Sequence, residues 1–148
     1  MNNKVEGNGM YVSQYSTGAA RYASVGIQTR VEDASPHRLI QMLFEAFIER
    51  VIVAKHALDR NDTALKGTSL TKAIAIIGGL KEALDSEQGG ELAGNLRDLY
   101  TYVELQLIKA NASNDEAIMD ECIRLIREIK SAWDQIPEHL RHGVKAGS

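Results

Sequence analysis

The chain has 148 residues, 44% of them hydrophobic and 25% charged, with a formal net charge of -3 and a single cysteine. That balance excludes a wholly disordered chain and a disulfide-stapled secreted module, and argues against a non-specific binder of nucleic acid or anionic membrane. No run of eighteen apolar residues occurs, and MNNKVEGNGMYVSQYSTG at the start lacks the apolar stretch of a secretory signal, so no membrane insertion and a cytoplasmic location are expected.

Residues 1–34 are rich in Gly, Asn, Ser, Thr and Gln, with scattered hydrophobes and no sustained period. They are expected to form a mobile N-terminal arm. The body, 35–137, opens at Ser35-Pro36, a favoured N-cap followed by a residue with preset φ. Ile40, Phe44, Phe47, Val51, Ala54 and Leu58 then repeat at spacings of three and four, predicting a helix over 36–59. Asn61 is placed to end it in a left-handed conformation and Asp62 to cap the next.

The second helix, 63–85, carries Leu70, Ala73, Ile77, Leu80 and Leu84. Gln88-Gly89-Gly90 breaks the pattern before a third, 91–110, whose stripe is taken as Leu92, Leu96, Leu99, Val103, Gln106 and Ala110. Asn111 to Asn114 close it. The fourth, 115–136, shows a seam of Ile118, Cys122, Leu125, Ile129, Ala132 and Ile136, stopped by Pro137. A flexible tail, 138–148, follows. Four helical patterns with short connections and no strand pattern predict an all-α, antiparallel up-down-up-down four-helix bundle.

More apolar residues are present than four stripes require. Leu39, Leu43, Ile48 and Ile52 flank the first stripe, and Ile74 and Ile76 the second. Tyr100, Tyr102, Leu105 and Ile108 flank the third, and Met119, Ile123 and Ile126 the fourth. They either widen the core or line a surface for a partner. Gly78 and Gly79 sit inside a helix, where each glycine costs about 0.8–1.0 kcal/mol relative to alanine. Close packing within the bundle, contact with a partner, and a simple break are all open for them. The partner-groove candidates are Ile76, Gly78, Gly79, Tyr102, Leu105, Met119, Ile123 and Ile126.

Catalytic constellations are missing from the sequence. There is no Glu-x-x-His pair for a di-iron bundle, no phosphate loop and no dinucleotide fingerprint, so neither an enzyme activity nor a cofactor is expected. Cys122 lies on an apolar seam as an inert thiol, and His139 with His142 lack a third metal ligand. His37, in the first turn, is expected at the surface. One rival function remains: a histidine-phosphotransfer bundle using His56. Asp59 weakens it, standing where such a site needs a base.

Four blocks carry a resemblance: ASPHRLIQMLFEAFIERVIVAKHAL (34–58), KAIAIIGGLKEALDSEQGGELAGNL (72–96), LYTYVELQLIKAN (99–111) and AWDQI (132–136). In that order they resemble the FliS family of flagellar export chaperones, over about Tyr22 to Ile136. The resemblance implies an antiparallel helical bundle that holds the C-terminal segment of flagellin in the cytosol until export. It further implies dealings with the export gate, admits an anti-sigma factor as a second client, and leaves a homodimer open. It also suggests that Tyr22, Val25 and Ile27, just before the first helix, pack into the client groove as a plug. The stretch before Tyr22 and the polar C-terminus depart from the family pattern.

Overall fold

The computed structural model describes residues 34–85 and 90–137. Within them the chain forms four α-helices and no strand: α1 (Pro36–Asp59), α2 (Thr63–Asp85), α3 (Gly90–Ser113) and α4 (Glu116–Asp134). Each packs on its neighbours in chain order, and α1 closes the ring on α4. The all-α bundle expected from the sequence is therefore the observed fold. The proposed arm, with Tyr22, Val25 and Ile27, and the tail from 138 lie outside the described residues.

The helix ends follow from local chemistry. Ser35 Oγ accepts the Arg38 N–H at 3.1 Å, with Pro36 in the first turn. After α1, Asn61 adopts φ 59° and Asp62 Oδ1 accepts the Leu65 N–H at 3.1 Å. The asparagine side chain makes that left-handed turn tolerable, and the aspartate satisfies a donor that the first turn of α2 leaves open. α3 runs three residues past the expected end. Its last carbonyls are held from outside: the buried Lys66 ammonium, 5% exposed, donates to the Asn111 carbonyl at 2.9 Å and to Asn114 Oδ1 at 2.5 Å. A cation there also opposes the helix dipole. Asp115, expected inside the fourth helix, is the N-cap of α4, accepting from the Ala117 and Ile118 N–H groups.

Antiparallel order is fixed by links between opposite ends. Lys66, near the start of α2, reaches the end of α3. Trp133, near the end of α4, donates its indole N–H to the His37 carbonyl at the start of α1, at 3.0 Å. The two rings stack at 4.7 Å with 10° between planes. His37 is thus buried, 6% exposed, which corrects the surface position expected for it. Beside this pair, burial pushes the Asp134 carboxyl up. Hydrogen bonds from Lys130 and Gln41, with the charges of Lys130 and His37, more than reverse that and leave it below its ordinary range.

The core is built on Phe44, Phe47 and Val51 of α1, Leu70, Ile77 and Leu80 of α2, Val103 and Leu107 of α3, and Met119, Cys122 and Ile126 of α4. Burial pushes the Cys122 thiol up to about 12, so it stays protonated and inert. Two stripes differ from the sequence reading. On α3 Val103 and Ala110 are buried as expected, but Ala93, Tyr100 and Leu107 are buried in place of their neighbours Leu92, Leu99 and Gln106; Leu92 faces solvent, and Leu96, Leu99 and Gln106 are half-buried. On α4 the buried set is Met119, Cys122, Ile123 and Ile126, while Ile118, Leu125 and Ile129 only flank it. The cause is how α4 sits. It is tied to α1 through Trp133–His37, Asp134–Gln41 and Lys55–Asp120, and to α3 through one exposed link. Its α1-facing side is the better covered.

Candidate functional site

The large hydrophobic side chains that the described residues expose all lie on α3: Leu92, Tyr102, Leu105 and Ile108, at 68%, 41%, 60% and 54%. Tyr102, Leu105 and Ile108 share one side over six residues, about 9 Å along the helix, while Leu92 is exposed at the helix start. Leu105 stands on the side of α3 opposite its buried stripe, because 105 falls midway in rotation between positions 103 and 107 turned outward. Side chains pointing away from the core contribute nothing to it, so their apolar character is not explained by folding.

Two polar links bound this surface. On the α4 side, the Tyr102 hydroxyl donates to a Glu121 carboxylate oxygen at 2.9 Å; that bond raises the phenol above its ordinary range. On the α2 side, Lys81 Nζ reaches Glu104 Oε1 at 3.0 Å. Lys81–Glu104 sets the α2–α3 register, and with it places the outer side of α2 beside Leu105 and Ile108. The solvent-facing row of α2 runs through Ala64, Thr68, Thr71, Ala75 and Gly78 and ends at the exposed Glu82. A low-relief strip of small side chains, closed by one carboxylate, therefore runs along α2.

The structure separates the groove candidates into two groups. Tyr102 and Leu105 are on the exposed face, and Gly78 is half-exposed on its α2 border. Ile76, Met119 and Ile126 are at most 1% exposed, Ile123 is 5% exposed, and Gly79 is buried. A surface groove for Ile76, Met119, Ile126 and Gly79 is corrected: in the closed bundle they are core, whereas the edge of Ile123 left open lines the seam between α1 and α4. Ile108 belongs to the face and was not among the candidates. Leu92 does not belong to it: it lies eleven and eighteen residues from the buried Val103 and Ala110, on their side of the helix, and is exposed at the helix start. Ile108 carried a usable signal, standing three residues from Leu105 on the same side.

At Gly78 the space a Cβ would take is empty to 4 Å. Close packing within the bundle therefore does not explain this glycine. Replacing it with alanine is expected to stabilise the free protein by about 0.8–1.0 kcal/mol, through helix propensity alone. A thermal melt of the variant checks this, and a lower melting temperature would show that the open space is needed by the bundle itself.

The face has no feature of a reaction centre. Among the described residues no cluster of three His, Cys, Asp or Glu could hold a metal ion. His56 is exposed near the end of α1, away from α3. No described helix is long and apolar enough to cross a membrane. What the face can do is bury apolar side chains of another chain over a shallow, outward-facing patch.

Residues 18–140 match the family model described as flagellar protein FliS. The chain is 52% identical over 116 residues to the flagellar secretion chaperone FliSB of Pseudomonas aeruginosa, covering 78% of this chain and 92% of that protein. It is 44% identical to the flagellar secretion chaperone FliS of Vibrio cholerae, over 78% of this chain and 85% of that one. With the flagellar secretion chaperone FliS of Salmonella typhimurium the identity is 43% over 122 residues, 82% of this chain and 90% of the other.

Proposed function

The chain belongs to the FliS family of flagellar secretion chaperones, a family of chaperones and not of enzymes, and on that premise we propose that its client is the C-terminal segment of flagellin, held on the exposed face of α3. The observation that carries the placement is the gathering of exposed Tyr102, Leu105 and Ile108 on the outward side of one helix. An amphipathic segment without structure of its own gains by laying aliphatic residues against such a side. Ordering the segment consumes part of the contact energy, so a long wrapped surface suits it better than a compact pocket. Covering those residues in the cytoplasm keeps flagellin from polymerising before the export gate receives it. Binding and release need no nucleotide, in keeping with a surface that only buries and uncovers apolar groups.

Tyr22, Val25 and Ile27 fit the same scheme as a plug. Eight residues of extended chain reach about 26 Å, enough to lie along most of α3, and a plug would reduce the apparent affinity by the fraction of molecules it closes.

Titration calorimetry of the full chain with a synthetic peptide of the last forty or so residues of flagellin tests the assignment. One-to-one binding with a negative heat-capacity change is expected, the mark of apolar burial. No heat and no binding at micromolar concentrations would remove flagellin's C-terminus as the client.

A further inference from the structure

On the far side of the bundle from α3, the seam between α1 and α4 opens into two adjoining cavities of about 420 and 600 Å³. Arg127 and Ser131 line both, so the two form one groove. Its apolar floor is Ile48 and Ile52 of α1, half-buried, and Ile123 of α4. The spacing of Ile48 and Ile52 is one helical turn, the separation at which an incoming helix presents its own anchors. Measured along α4, the lining from Asp120 to Gln135 extends about 22 Å.

The charges of this groove are unevenly satisfied. Lys55 is paired with Asp120 at one end, and Lys130 with Asp134, at 2.6 Å, at the other. Arg124 makes only a loose pair with Glu128, at 3.7 Å, with both side chains more than half exposed. Arg127, between the ends and exposed, has no carboxylate partner among the described residues. The middle of an aliphatic groove thus holds two arginines, Arg124 and Arg127, against one carboxylate, Glu128, and keeps a net cationic character, while Asp120 and Asp134 are engaged at its ends. Such a surface favours carboxylates beside apolar anchors and repels cations.

We propose that the α1–α4 groove is a second docking surface, and that it takes an acidic amphipathic helix of another protein, with aliphatic residues a turn apart on Ile48, Ile52 and Ile123 and a carboxylate on Arg127. The surface is separate from α3, so its occupant and a client on α3 bind without excluding each other. The inference rests on the groove's own geometry and charge, whichever segment α3 takes.

The test uses the full-length chain and a fluorescein-labelled, end-blocked helical peptide of about sixteen residues, sized to the groove. It carries leucine every three or four residues flanked by glutamate; a second peptide has lysine for each glutamate. Fluorescence anisotropy is expected to show saturable binding of the acidic peptide and at least tenfold weaker binding of the basic one. Arg127→Glu, an exposed change that should leave the thermal melt intact, is expected to weaken the acidic peptide at least tenfold and strengthen the basic one. Leu105→Glu on α3 is expected to change neither. Equal binding of both peptides, no binding of either, or a loss that follows Leu105→Glu and not Arg127→Glu would overturn the proposal. Concentration-dependent self-association of the chain alone that Arg127→Glu abolishes would also overturn it, by making a second copy the occupant.

Discussion

Changing Leu105 and Ile108 together to glutamate is expected to weaken binding of a flagellin C-terminal peptide by at least a hundredfold while leaving the thermal melt almost where it was. Both side chains are more than half exposed in the free chain, so folding loses little when they go. Glutamate is also a good helix former at interior positions, and the α3 backbone keeps its hydrogen bonds. In the complex the accounting differs. Burying the exposed half or so of each aliphatic side chain contributes about 1–1.5 kcal/mol, and the double change forfeits both contributions and sets two carboxylates against the client's apolar side. At roughly 1.4 kcal/mol for each factor of ten, the lost burial and the desolvation of the carboxylates together account for about two orders of magnitude in affinity. Calorimetric titration and a melt of the same preparation measure the two effects side by side. A collapse of the melt would make the α3 face part of the folding core, and full affinity would place the client elsewhere.

The fold was legible because its signals were local. Ser35-Pro36, Asn61-Asp62 and the three-four spacings of α1 and α2 each fix a boundary or a buried side within a turn or two, and their outcome needed no knowledge of the partner helix. α3 and α4 show where that stops. Each carries two apolar stripes one position apart, and spacing alone does not rank them. Leu92, Leu96 and Leu99 stand at core spacing, yet the structure buries Ala93, Tyr100 and Leu107 with the expected Val103 and Ala110. Depth of burial on α4 was decided by links to α1 from residues about ninety positions away, Gln41–Asp134 and His37–Trp133. Such pairs leave no trace in a window of one helix. His37 was read as a surface residue for the same reason: its stacking partner is at the other end of the chain. The functional face was visible as an excess of apolar residues, but which of them were excess depended on a rotation of less than one residue.

The residues that moved from groove to core give the sharpest contrast. Ile126→Ser and Ile76→Ser should each cost about 2–5 kcal/mol, the range for removing most of a fully buried aliphatic side chain, with a further cost for the hydroxyl. For a body of about a hundred residues this lowers the melting temperature by roughly 10 °C or more. Tyr102→Ser removes a side chain that is 41% exposed and one exposed hydrogen bond to Glu121, and should cost less than about 1 kcal/mol. Affinity for the flagellin peptide should sort the other way. Measured at a temperature where every variant is folded, Tyr102→Ser weakens binding, and Ile76→Ser and Ile126→Ser bind as the parent does. The ordering discriminates because the two quantities read different states of the same side chains. A residue that serves only the closed bundle changes the population of folded molecules and not the contacts each makes with its client. If Ile126→Ser weakened binding by more than its loss of stability accounts for, the client would have to reach into the bundle and separate α4 from its neighbours. The half-buried Leu125 and Ile129, facing α3, would then be the edge that opens.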